Sequence, residues 1–148
     1  MTELRRLSVD DIDEIKSLFR DIFTSEPWYD DWSDDGQLEG YIIDIIGNRN
    51  SLALGLYENG VLTGISLGNV MHWYMGTNYY IIELGIKPEC QGRGLGTEFL
   101  RMIEEYIHAN GISCIFLQTE RDMPAYDFYR KNGFDLLDGH VSLTKFLK

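Results

Sequence analysis

Gln91-Gly92-Arg93-Gly94-Leu95-Gly96-Thr97 is the stretch on which the reading of this chain turns. Before it runs a β-rich segment, residues 79–86, closed by Pro88; after it Leu95, Phe99, Met102, Ile103, Tyr106 and Ile107 recur at helical spacing until Gly111. A glycine-rich turn that opens a helix presents several backbone N–H groups at the positive end of the helix dipole, and the missing side chains let an anionic ligand approach the main chain. The segment therefore suits a phosphate. It is not a P-loop, which requires Lys and Ser or Thr after its last glycine, and its glycines are not spaced G-x-G-x-x-G. Tight packing of helix against strand is the alternative use of the same glycines.

Working outward, residues 112–119 read as a buried strand, so residues 79–119 form a strand-helix-strand unit whose strands should be parallel. Upstream, Leu52, Leu54 and Leu56 alternate, Asn59-Gly60 is a strong hairpin signal, and residues 61–73 return as a second strand. Residues 4–7 suggest a short first strand. Ser8 and Asp11 make a capping box for a helix with Ile12, Ile15, Leu18, Phe19 and Ile22 on one face, ending near Pro27. A second helix after Ser33 carries the stripe Leu38, Tyr41, Ile42, Ile45 and Ile46 and ends at Gly47-Asn48. Downstream, residues 124–131 read as a proline-initiated helix capped by Gly133, followed by a final strand pair turning near Asp138-Gly139. The expected order is β-α-α-β-β-β-α-β-α-β-β. That is a single α/β domain over residues 1–148, with a mixed, mostly antiparallel sheet, a central parallel βαβ unit and helices on both faces.

At 148 residues, 44% hydrophobic and 25% charged, the chain suits one folded domain. Thirteen basic against 24 acidic residues give a formal charge of −11, which disfavours nucleic acid as a partner. No apolar run reaches the roughly 18 residues of a membrane span, so no membrane association is expected. Cys90 and Cys114 lack metal-ligand or disulfide spacing, which points to free thiols, a cytoplasmic setting and no metal; Cys114, in an apolar strand, is expected in the core.

The glycine-rich stretch resembles the signature Q/R-x-x-G-x-G/A of the GNAT superfamily of acetyl-CoA-dependent N-acetyltransferases. Ile82-Glu83-Leu84-Gly85-Ile86-Lys87-Pro88 is similar to that family's fourth strand, and residues 124–134 to its A-x-x-x-Y-x-K-x-G-F block. The resemblance implies acetyl-CoA as cosubstrate. Its pyrophosphate would be held by the loop Gln91, Gly92, Arg93, Gly94, Leu95, Gly96 and Thr97, and its pantetheine arm by main-chain groups of Leu84, Gly85 and Ile86. Ala125, Tyr126 and Lys131 would lie on the cofactor side, and Tyr129 would donate a proton to the departing thiolate. Its bland reading is as a packing residue. Where the family often has asparagine, seven positions before the tyrosine, this chain has Asp122, which accepts a hydrogen bond but cannot donate as an amide does.

An amine must be neutral to attack a thioester, which requires a proton acceptor. Glu83, a carboxylate inside an apolar strand, is the first candidate, with pairing to an Arg as its alternative role. His72 and Glu120 are weaker candidates beside the acceptor. Residues 21–48 hold eight acids and no Lys or Arg, interleaved with Trp28, Tyr29 and Trp32. Glu26, Trp28, Tyr29, Asp30, Asp31 and Trp32 thus suggest a site for a small polycationic amine, aminoglycoside-like or polyamine-like, unless the acids merely form a solvated face. A protein lysine or N-terminal acetyltransferase, a non-catalytic acyl-CoA-binding module, and a homodimer pairing through Val141, Leu143 and Phe146 also fit the sequence.

Overall fold

The computed structural model describes residues 1–148, which divide into two compact units, Met1–Gln118 and Thr119–Lys148. The first holds a five-stranded sheet in the order β1-β2-β3-β4-β5: β1 (Thr2–Leu7), β2 (Ser51–Glu58), β3 (Val61–Trp73), β4 (Gly76–Ile86) and β5 (Cys114–Leu117). β1 to β4 pair antiparallel, and β4 and β5 pair parallel, so the mixed α/β sheet expected from the strand-helix-strand pattern is present. Asn59 and Gly60 both take positive φ, 52° and 82°, the two-residue turn that matches strand twist and fixes the β2/β3 register.

Helices cover both faces because each has a single apolar stripe. α1 (Ile12–Phe23) buries Ile15, Leu18, Phe19, Ile22 and Phe23; α2 (Asp35–Ile46) buries Leu38, Ile42, Ile45 and Ile46; both pack with Ile65 and Leu67 of β3. The Ser8/Asp11 capping box forms, but it caps a 3₁₀ turn, residues 9–11, that leads into α1. α3 (Leu95–Ala109) covers the other face through Leu95, Phe99, Ile103 and Ile107, against Leu54, Leu56, Tyr79 and Ile81. The Tyr79 phenol is fully buried and fully bonded, to the Ser66 hydroxyl at 2.7 Å and to the Leu52 and Ser66 carbonyls.

The β3/β4 register shifts at one place: Leu67 faces Glu83 but Gly68 faces Ile81, so Ile82 is an extra residue, a β-bulge. Tyr79 and Ile81 pack on the α3 side, and strict alternation would send residue 83 there too. The inserted residue switches the phase. Ile82 packs with α1 and α2, Leu84 and Ile86 return to the α3 side, and Gly85 lies against Ile22 and Phe23 of α1.

Two expectations are corrected. Cys114 is exposed rather than core, because alternation along β5 gives Ile115 and Leu117 the α3 side and leaves Cys114 on the other. The unit Thr119–Lys148 forms α4 (Pro124–Lys131) and the turn at Asp138-Gly139, closed by the His140 N–H on the Leu137 carbonyl, but not the final strand pair. Val141 and Leu143 lie two apart but Phe146 falls out of phase, with Lys145 at the position between, so the segment has no continuous apolar strand face; an isolated hairpin without one does not hold in water.

The bulge has a steric signature that can be measured. A Cβ on Gly68 would stand 2.0 Å from the Tyr80 carbonyl oxygen, whereas one on Gly85 would meet only side-chain atoms, of Ile22 at 2.9 and 3.0 Å and of Phe23 at 3.5 Å. Gly68→Ala should therefore lose about 3 kcal/mol or more in urea unfolding, and Gly85→Ala about 1 kcal/mol, since a backbone oxygen yields less than a methyl group.

Candidate active site

β4 keeps β3 as a partner to Ile86 but pairs with β5 only from Asn78 to Ile81. Beyond that point residues 82–86 have no partner on β5, so their main-chain groups on that edge stand ready for another extended chain. The Ile86 carbonyl accepts the Gln91 side-chain amide at 3.0 Å, tying the end of this open edge to the glycine-rich loop.

The loop itself takes its shape from glycine. Gly92 and Gly94 have φ of 79° and 78°, and Gly94 is the residue before α3, whose first-turn N–H groups start at Leu95. Left-handed residues alternating along a turn aim successive N–H groups at one point, an anion-binding concavity. No atom beyond the adjacent residues lies within 4 Å of where a Cβ on Gly92 or Gly94 would stand, so it is the left-handed backbone conformation, not packing, that favours glycine here. The Arg93 side chain is committed elsewhere: its guanidinium bonds the Glu58 carboxylate at 2.9 and 3.4 Å.

Glu83 stands next to the bulge, on the face of α1 and α2. It has no Arg partner, and its Oε2 is buried without a hydrogen bond. Burial first, and the Asp30 carboxylate second, push its pKa up from 4.5 to about 7. The same group raises the pKa of Tyr41, which burial raises most; Tyr80 and Asp30 add to it. Tyr41 was legible in the sequence only as one position of the α2 stripe, and it is the functional neighbour that pattern reading misses. Its ring stacks on Trp32 at 5.3 Å and 22° and meets Phe19 edge-on at 6.0 Å. The Tyr80 hydroxyl donates to Gln118 at 2.7 Å.

Much of the acidic segment is answered locally. Lys16 and Arg20 of α1 reach Asp35, at 2.8 and 3.3 Å, and Lys16 also reaches Glu39 at 3.3 Å. Asp34 caps α2 through the Gln37 N–H, and Ser33 holds Asp31 below the usual carboxylate range. Arg20 also donates to the Trp32 carbonyl. Trp28 leans on Phe23 and Trp32 packs on Phe19, half-buried against the core, while the Trp32 indole N–H is buried without a partner. Of the named acids Asp30 is the one that acts on Glu83; its N–H is anchored on the Phe23 carbonyl at 2.9 Å. Glu26 precedes Pro27 in the turn after α1, and Tyr29 is exposed with φ of 50°. His72 pairs with Thr77 near the hairpin end, five residues past the partner of Glu83, roughly 16 Å along the strand, and so is not brought to it.

In the unit Thr119–Lys148, Pro124 occupies the first turn of α4. Tyr129 meets Phe128 at 5.4 Å and Phe134 at 5.2 Å, and its carbonyl accepts the Phe134 N–H at 3.0 Å. Arg121 lies 5.8 Å from the Tyr126 ring centroid. Glu120 and Asp122 precede the helix, Ala125 lies in its first turn and Lys131 closes it; the Glu120 carbonyl accepts the Met123 N–H.

The Glu83 environment makes a pH prediction. Between pH 4.5 and 7 the folded chain holds a proton that the unfolded chain has released, so the stability of the buried neutral acid is complete below 4.5 and is lost as pH rises through 7. Relative to Glu83→Gln, the native protein should lose on the order of 3 kcal/mol across that window in urea titrations at pH 4.5 and 8.

Comparison with known proteins agrees with this architecture. The model of the acetyltransferase (GNAT) family matches residues 12–134. The uncharacterized N-acetyltransferase YhfO of Bacillus subtilis is 26% identical over 141 residues, 93% of each chain, and the acetyltransferase SG1711 of Sodalis glossinidius is 25% identical over 97% of this chain and 94% of its own. Among solved structures, a possible acetyltransferase from Clostridium difficile superposes with a TM-score of 0.82 at 14% identity, covering 100% and 99% of the two chains. An aminoglycoside acetyltransferase from an uncultured soil metagenomic sample, in complex with sisomicin, gives 0.75 at 19%, covering 99% and 97%. With a β4 that parts from β5 and a glycine-shaped loop at the head of α3, the chain belongs to the acetyltransferase (GNAT) family and is an acyltransferase.

Proposed function

We propose that this protein transfers an acetyl group from acetyl-CoA to a primary amine, and that the acceptor is a small polycationic molecule, aminoglycoside-like or polyamine-like. One observation carries the reading: a half-buried carboxylate, Glu83, whose Oε2 is buried without a hydrogen bond, on the strand whose neighbouring edge is open. Acetyl-CoA supplies the activated acyl group. The residues 92–97 would hold its pyrophosphate through backbone N–H groups, and the edge at Leu84, Gly85 and Ile86 would pair with its pantetheine arm. A main-chain amide such as that of Leu84 or Gly85 would face the negative charge that develops on the carbonyl oxygen.

Glu83 would take the proton of the incoming ammonium, directly or through water. With Glu83 near 7 and an alkylammonium near 10, that transfer is uphill by about 4 kcal/mol, a fraction of an ordinary enzymatic barrier. Above pH 7 the same carboxylate, with Asp30, attracts the ammonium, and the faces of Tyr41 and Trp32 would add about 0.5–2 kcal/mol per well-placed contact. Free amino acids fit less well, since the cations that reach this segment, Lys16 and Arg20, are already paired with Asp35 and Glu39 and would answer their carboxylate poorly. Tyr129 would protonate the departing thiolate. A sisomicin-bound aminoglycoside acetyltransferase among the structural neighbours, and AAC(6')-Iy solved with a bisubstrate analogue of CoA and acetylneamine, support a small amine as the acceptor class.

The test is thiol release from acetyl-CoA with aminoglycosides, polyamines, amino acids and basic peptides, at low and high salt. Turnover with one multi-amine class, weakened by salt, is expected; turnover with peptides alone would reassign the acceptor, and none with any amine would contradict catalysis. Tyr129→Phe should lower kcat tenfold to hundredfold, and Glu83→Gln should abolish the limb of kcat/KM that rises near pH 7.

A further inference from the structure

The glycine-rich loop is held in shape from outside itself. With left-handed residues at 92 and 94 and no side chain at 92, 94 or 96, it has large conformational freedom to lose when it closes on an anion. Gln91 fixes its start on the Ile86 carbonyl. Its middle and the helix that follows are fixed by one corner of the sheet, where Thr2 of β1 pairs with Glu58 of β2. Glu58 accepts from both terminal guanidinium nitrogens of Arg93, at 2.9 and 3.4 Å, and the Thr2 hydroxyl donates to Glu98 in the first turn of α3 at 2.8 Å. The Glu58 carboxyl is the better covered partner, 24% exposed against 52% for Arg93, and the guanidinium beside it holds it below the usual carboxylate range.

We propose that Glu58, acting through Arg93, and Thr2, acting through Glu98, are positioning residues that preorganise the anion-binding loop for the coenzyme A pyrophosphate; this rests on the acetyl-CoA reading above. Neither residue touches the reacting atoms. Their effect is on the cost of ordering the loop, which appears in cofactor affinity and not in the chemical step. Because Arg93 is spent on Glu58, the loop binds phosphate chiefly through main-chain N–H groups, and the guanidinium contributes by where it holds residue 93.

Two measurements on the full chain test this. Hydrogen–deuterium exchange of the free protein reads the tether without any ligand: Glu58→Gln should speed exchange in the peptide spanning residues 91–97, and Thr2→Val in that spanning the first turn of α3, with the sheet unchanged. In steady-state kinetics Glu58→Gln should raise KM for acetyl-CoA about two- to fivefold, the range an exposed ion pair supports, leaving kcat and the amine KM as in the native protein. Glu58→Asp should recover part of that loss, and Glu58→Gln should add nothing in an Arg93→Gln background. Unchanged exchange in the loop, or a fall in kcat equal to the change in kcat/KM, overturns the proposal. Faster loop exchange in a protein that never binds acetyl-CoA would overturn the preorganised cofactor site together with the acetyl-CoA reading, while the tether itself stands.

Discussion

A strand in the middle of a sheet must satisfy hydrogen-bonding groups on both edges, and β4 does so only as far as Ile81. From there its main chain belongs to β3 on one side and to no strand on the other, five residues before the turn into the glycine-rich loop. Everything that makes this region chemically interesting follows from that change of partner. An opening at the carboxyl ends of two parallel strands, next to the start of the helix that joins them, gathers unpaired main-chain groups and a helix N-terminus in one place. Such a place favours an extended ligand that carries phosphate at one end.

The bulge at Ile82 supplies the second ingredient. Without the extra residue Glu83 would point toward Phe99 and Ile103, where a carboxylate has nothing to answer it. With it the carboxylate lies among α1, α2 and their aromatic rings, in the field of Asp30. Burial there is partial and unsatisfied, which is how a carboxyl is brought to titrate near neutrality. The sheet accepts the distortion because Gly68 leaves room for the Tyr80 carbonyl, and because the Tyr79 phenol just before it is bonded on three sides.

Most of the fold was legible because its signals are local. Asn59-Gly60 fixed a hairpin, Gly47 and Gly133 marked helix ends, and the glycine-rich stretch located the junction of strand and helix. Glu83 was legible as an anomaly, a charge in an apolar run. What was not legible depends on contacts distant in sequence. The acidic segment looked unanswered because Lys16 and Arg20 lie outside it, on α1, and reach Asp35 and Glu39 only after folding. The bulge is a one-residue shift with no composition of its own. Tyr41 read as core, and half of it is: its ring packs on Trp32 and Phe19 while the field of Glu83 acts on its hydroxyl. The turn at Asp138-Gly139 and the apolar Val141, Leu143 and Phe146 suggested a final strand pair, but a turn with scattered apolar residues is a weaker signal than a formed strand.

In the proposed cofactor site the unpaired edge of β4 and the N–H groups of the glycine-rich loop form one continuous binding surface for coenzyme A. Amide NMR shifts recorded while coenzyme A is titrated into the isotope-labelled protein address it directly. The amides of residues 82–86 and 92–97 are expected to shift together, with one saturation curve, while those of β1 and β2 away from Glu58 stay in place. Saturable binding that moves residues elsewhere, or moves the loop and leaves β4 untouched, would contradict it.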